Sequence, residues 1–167
     1  MKQYGNMTRQ ECDQTALYML QVLDTVIHAA AGMYYEPLRK IVRAKRDPLT
    51  SSIMAVCRKF HVTLEAVYFY QESLAEYNEM QDDFDVRHFC INLRERLHFE
   101  HKDDWKKILD DLDLSPVKLD QWTRSDFNSP RFGNLIKLAH HLGYQLLFYD
   151  TINHRPIVRI IEHEEIV

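Results

Sequence analysis

Between Tyr35 and Arg46 the chain reads YEPLRKIVRAKR, which sets Arg39, Lys40, Arg43, Lys45 and Arg46 in one short run. Guanidinium and ammonium groups at this density are chemistry for anions: all of them suit phosphate oxygens, and the planar arginine fork also suits the edge of a base. From Met33 to Phe60 seven bases face two acids, although the whole chain of 167 residues carries a formal net charge of -4. That balance argues against a protein that coats nucleic acid by bulk attraction, and for a local basic patch on an acidic chain. A charge run is ordinarily a solvated helix face, so what the run is attached to decides its meaning.

Other chemistries are poorly served. Cys12, Cys57 and Cys90 lie far apart without a CxxC pair and read as small buried apolar residues. His98 with His101, and the neighbours His140 and His141, are the histidines that invite a metal reading. Adjacent helical residues point about 100° apart, and no Cys stands near the other pair, so no metal is expected. There is no Gly-rich phosphate loop, GxSxG or HExxH, and neither catalysis nor a cofactor is expected. With 46% hydrophobic and 28% charged residues the chain is an ordered globular one. No apolar run approaches a membrane span and no secretory signal is visible, so the cytoplasm is the expected location.

The elements that must hold the basic run read as helices. Thr8 and Glu11 form a capping box; Leu17, Leu20, Leu23 and Ile27 follow helical spacing, and Asp24 is placed to cap a second short helix ending at Gly32. Pro37 opens a short amphipathic helix with Leu38, Ile41 and Val42 on one face and Arg39, Lys40 and Arg43 around the other. After Pro48 come the stripe Ile53, Met54, Val56, Cys57, Phe60 and a helix capped by Thr63 that runs through LEAVYFYQESLAEY. The acidic QDDFD, 81–85, reads as a linker between an N-terminal module, 1–80, and a C-terminal one, 86–167. Beyond it, helices are expected through Val86 to Leu97 and Trp105 to Leu112. Two more should be opened by Ser115–Pro116 and Ser129–Pro130, the last closed by Gly143, before YQLLFYD and IVRIIEHE form a hairpin.

The layout repeats. Pro48 falls on Pro130, Ile53 on Leu135, Met54 on Ile136, Val56 on Leu138, Cys57 on Ala139, Phe60 on Leu142 and Leu64 on Leu146. Upstream, with one residue inserted in the second loop, Leu38 falls on Leu119, Ile41 on Trp122 and Arg43 on Arg124. The copies differ in charge: His101 to Asn128 holds five bases and seven acids.

Gly32 to Tyr68, GMYYEPLRKIVRAKRDPLTSSIMAVCRKFHVTLEAVY, resembles the lambda-repressor and Cro-type (XRE-like) helix-turn-helix family, from the turn glycine through the recognition helix and basic loop to the last two helices. LDLSPVKLDQWTRSDFNSPRFGNLIKLAHHLGYQLL resembles a second copy. The resemblance implies a mainly α fold of two tandem five-helix-type modules with a short C-terminal β-hairpin. It implies a sequence-specific DNA-binding transcriptional regulator of bacterial or phage type, a repressor for example. Gly32 would supply the positive-φ turn residue, with Asp113 in its place in the second copy. Tyr35, Arg39 and Lys40 would read bases in the major groove, while Arg43, Lys45 and Arg46 would meet phosphates. Pro116 and Val117 hold the base-facing positions of the second copy, which is expected to serve packing or a protein partner. A homodimer paired through the hairpin is expected, for which a tandem copy in one chain could substitute. The rival is a protein-binding module, such as an antitoxin, a phage-encoded inhibitor or an assembly factor, that reuses the fold without DNA.

Overall fold

The computed structural model describes residues 9–45, 47–68, 85–124 and 129–158. The fold is mainly helical, with one small antiparallel sheet. The first helix, α1 (Arg9–Ala31), runs unbroken for 23 residues, where two helices divided at Asp24 were expected. Asp24 is not a cap: it is 2% exposed and accepts a hydrogen bond from Arg39 Nη1 at 2.8 Å, so its carboxylate has a partner from outside its helix. No Gly or Pro interrupts α1, and Cys12, Ala16, Met19, Leu20, Leu23 and Ile27 give it one continuous buried stripe. Thr8 of the expected capping box lies outside the described residues. Gly32, at φ 76°, ends the helix in the left-handed turn foreseen for it, and Asp113 takes φ 59° at the corresponding place.

Next come α2 (Glu36–Ala44), with Pro37 in its first turn and Leu38 fully buried, and α3 (Thr50–Lys59). His61, at φ 57°, then turns the chain into β1 (Val62–Tyr68), where a helix was expected. Val62, Thr63, Leu64 and Glu65 are all buried, which a one-sided amphipathic helix would not achieve. Three β-branched residues and a seven-residue partner strand outweigh the helical spacing of Leu64 and Val67. The remainder of that expected helix, and residues 81–84 of the expected linker, lie outside the described residues.

The second half holds α4 (Val86–Glu100), α5 (Trp105–Asp111), α6 (Pro116–Gln121), α7 (Phe132–His141), β2 (Tyr144–Asp150) and β3 (Arg155–Val158). Asp85 caps α4 by accepting from His88 N at 3.0 Å, and Ser115 caps α6 by accepting from Lys118 N at 3.1 Å. β2 and β3 form the expected hairpin, its second strand described as far as Val158. Gly143, at φ 91°, does for α7 what His61 does for α3.

The sheet order is β1-β2-β3, so β2 is the central strand and both its edges are filled by its own chain. The pairing is symmetric under exchange of the halves. Pro48 and Pro130 stand 82 positions apart; Thr50 N donates to Pro130 O at 2.8 Å, and Phe132 N donates to Pro48 O at 2.8 Å. Leu49 bridges Arg131, its own equivalent, and in the sheet Glu65 faces Leu147, again its own equivalent. A local two-fold axis therefore relates α3–β1 to α7–β2.

The helix caps obey the same exchange. Gly133 N in the first turn of α7 donates to Asp47 Oδ1 at 2.7 Å, and Ser51 N in the first turn of α3 donates to Ser129 Oγ at 2.8 Å. Ser129 and Pro130 were expected to open their own helix, but α7 starts at Phe132 and the serine caps the other half's helix instead. Leu49 and Arg131, the residues at the two N-caps, make no side-chain cap, which leaves those backbone donors to be met from across the axis. One hydrophobic core draws on both halves, and α1 packs on α7, β2 and β3. Lys137 of α7, 5% exposed, ties that contact to Asp13 of α1 at 3.3 Å. Burying each large aliphatic side chain in such a core contributes about 1.5–3 kcal/mol. Among the described residues no helix is long and apolar enough to cross a membrane.

Candidate nucleic-acid interface

The N-terminal end of α2 follows from its sequence. Tyr35 holds an extended N-cap conformation, Pro37 accepts the first turn because its missing N–H would have no intrahelical partner, and Leu38 is drawn into the core. Leu38 fixes the roll of the helix. Glu36, Lys40 and Arg43 then share one exposed strip at i, i+4 and i+7. Lys45, also exposed, ends the helix in a left-handed conformation at φ 52°, its N–H donating to Val42 O.

Arg39 sits differently. Its Nη1 lies 2.8 Å from Asp24 Oδ2, and its guanidinium carbon stands 4.0 Å from the centroid of the Tyr34 ring. Tyr34 in turn stacks on His28 with centroids 4.0 Å apart. The hydrogen bond to Asp24 raises the Arg39 pKa above its ordinary value, against the opposing effect of burial. The guanidinium therefore fastens α2 to α1. Tyr35 is half-buried, edge-on to Phe60 at 5.1 Å with Lys59 Nζ 5.2 Å from its ring centroid. Of the six residues foreseen for DNA, Lys40, Arg43 and Lys45 face solvent, Arg39 and Tyr35 are engaged in packing, and Arg46 lies outside the described residues.

Sequence reasoning missed Lys59, whose approach to Tyr35 brings a cation from the end of α3 to the start of α2. It also missed the Asp24–Arg39 pair, since two residues on different elements carry no spacing signal.

The corresponding face of the second half is differently furnished. On α6 Leu119 is buried, Val117 is 61% exposed, and Asp120 Oδ1 lies 3.4 Å from Arg94 Nη1. Arg94 also donates to Thr123 Oγ1 at 2.9 Å, and Arg87 Nε donates to the carbonyls of Thr123 and Arg124 at 3.1 and 2.7 Å. These arginines of α4 tie down the chain leaving α6, where backbone carbonyls lack helical partners.

Where α1, α7 and the loop after α2 meet, an open cleft of about 560 Å³ is lined by Asp13, Lys45, Asp47, Asn134 and Lys137 among others. Its polar groups serve one another: Asp47 caps α7, Lys137 pairs with Asp13, and Arg131 Nη1 donates to Asp47 O at 3.1 Å. Burial raises the Asp47 pKa, opposed by the hydrogen bond from Gly133. The three cysteines are buried, and burial pushes each thiol up to about 12, which leaves them without thiolate chemistry. His98 packs on Trp105 with centroids 4.4 Å apart, and His101 approaches His141 at 5.8 Å. No group of three or more metal-ligating side chains gathers among the described residues. No family model matches the chain, nor does any curated protein or solved structure.

Proposed function

We propose that the chain is a sequence-specific DNA-binding transcriptional regulator of helix-turn-helix type, two tandem modules in one chain, with α2 of the first module as its groove-facing helix. The observation that carries the reading is the solvent strip of Lys40 and Arg43, followed by Lys45, on a helix whose opposite side is pinned by Leu38 and by Arg39 through Asp24. A pinned helix presents its cations without a further cost of ordering the backbone, and a short helix with one bare face suits a groove about 12 Å wide. The left-handed turn at Gly32 between α1 and α2 is what the motif requires.

With Arg39 and Tyr35 engaged in packing, Lys40, Arg43 and Lys45 each neutralise a phosphate, and Lys40 and Arg43 are the ones placed to reach base edges as well. The test is a gel shift on random duplex at two ionic strengths. Affinity should fall with salt at a log–log slope of roughly -0.9 for each phosphate neutralised, and Lys40→Ala with Arg43→Ala should lower the magnitude of that slope by about 2 while the fold survives. Absence of duplex binding at low salt would refute the reading.

A second reading, a module that binds protein and not DNA, is favoured by Val117 and Phe99, 61% and 75% exposed on the half whose third helix is poor in free cations.

A further inference from the structure

We infer that the chain is its own two-fold partner: a monomer in solution that carries one DNA-facing helix and one counterpart of weaker positive charge, and so reads a single, non-palindromic half-site. The inference rests on the reading of α2 given above and specifies its DNA target.

The first ground is closure. Regulators that bind palindromes pair two identical subunits across a two-fold axis, and a strand edge is one usual seam. Here that seam lies inside one chain. β1 and β2 pair about Glu65 and Leu147, Leu49 bridges Arg131, and Pro48 O and Pro130 O accept from Phe132 N and Thr50 N. Asp47 and Ser129 exchange caps across the same axis. β3 fills the other edge of β2, so the central strand, which joins the two halves, has no edge left to offer a second copy. Among the described residues the exposed large apolar ones, Val26, Met33, Tyr34, Leu49, Phe99, Val117 and Ile152, are spread over six different elements and loops, not gathered on one.

The second ground is the difference between the symmetry-related helices. Where α2 has Glu36, Arg39 and Lys40, the repeat register places Val117, Asp120 and Gln121 on α6. The exposed Lys40 is thus replaced by a neutral residue, and Asp120 would meet phosphates as a like charge. Lys118 and Arg124, the latter the equivalent of Arg43, stay exposed on this side, but Asp120 offsets one of them, so a duplex laid across the axis would meet the denser cluster of cations at α2.

The test combines the mass of the free chain by light scattering with selection from a pool of randomised duplexes. The expected results are a mass of 20.0 kDa and an enriched motif without dyad symmetry. Three phosphates neutralised by Lys40, Arg43 and Lys45 correspond to an affinity loss of about 40-fold between 50 and 200 mM salt, against roughly 2000-fold for a two-headed dimer. Twice that mass with an enriched palindrome would overturn the inference and leave α2 as a DNA-facing helix. A monomer that enriches no duplex would overturn the DNA reading itself, and the half-site with it.

Discussion

The two halves fasten the equivalent helices α2 and α6 with the same device in opposite polarity. In the first, Arg39 on α2 reaches back to Asp24 on α1; in the second, Asp120 on α6 is met by Arg94 on α4. Arg39 and Asp120 are equivalent in the repeat, so the charge has been reversed while the link from helix to helix persists. The settings differ too: Asp24 is 3% exposed at its side chain with its partner at 2.8 Å, whereas Arg94 and Asp120 are 34% and 55% exposed and 3.4 Å apart. A solvated pair at that distance contributes only about 0–1 kcal/mol, so α6 depends on Leu119, on the bonds from Arg87 to the Thr123 and Arg124 carbonyls and on the bond from Arg94 to the Thr123 hydroxyl more than on the ion pair. Shape is shared between the halves, and surface chemistry is not.

The comparison breaks most visibly in the core. Leu38→Ala and Leu119→Ala empty equivalent buried sites, and each should cost about 2–5 kcal/mol. Because one core and one sheet serve both halves, urea melts of either variant should remain single transitions. Two separated transitions in either variant would show that the halves unfold independently.

A second contrast lies at Arg58 and His140, 82 positions apart on α3 and α7. Arg58 is exposed; His140 is 2% exposed, and burial lowers its pKa from 6.5 to about 4. The folded state thus disfavours the protonated ring. Its stability contribution is complete above pH 6.5 and is lost as pH falls from there toward about 4, amounting to roughly 3 kcal/mol. Thermal melts between pH 7 and 4 should show this decline in the parent chain and a flatter profile in His140→Gln. Equal profiles would mean that other groups carry the acid sensitivity.

The smallest effect tests the exchanged caps. Ser129→Ala should cost about 1 kcal/mol although it removes nothing from α7, the helix that follows it, because the lost acceptor serves α3. Asp47→Ala should cost less, since burying its carboxylate opposes the bond to Gly133. Hydrogen exchange at Ser51 reads the first directly, and unchanged protection there would discount the cross-cap.

Features set by a few neighbouring residues were legible in the sequence. Ser115 before Pro116 capped a helix, Gly32 and Asp113 took left-handed turns, and Pro48 and Pro130 kept a common register. What depends on distant partners was not. VTLEAVY carries β-branched residues and helical spacing together, and only the strand 82 positions away decides between them. The fate of Asp24 depended on a guanidinium fifteen residues on, and Ser129 looked like the cap of the helix beside it because nothing local reveals an acceptor lent across an axis. Of the basic run, the amphipathic placing of Lys40 and Arg43 could be read from spacing, but the diversion of Arg39 and Tyr35 into packing could not.

The seam between the halves also sets the order of events during synthesis. β1 leaves the ribosome long before β2 exists to pair with it, and the first turn of α3 waits for Ser129. At about 5–20 residues per second the nascent chain carries an unmatched strand for some seconds, the interval in which a chaperone or a neighbouring polysome product can capture it. Truncated translation products that end before Tyr144 should accordingly be the sticky species in a cell making this protein.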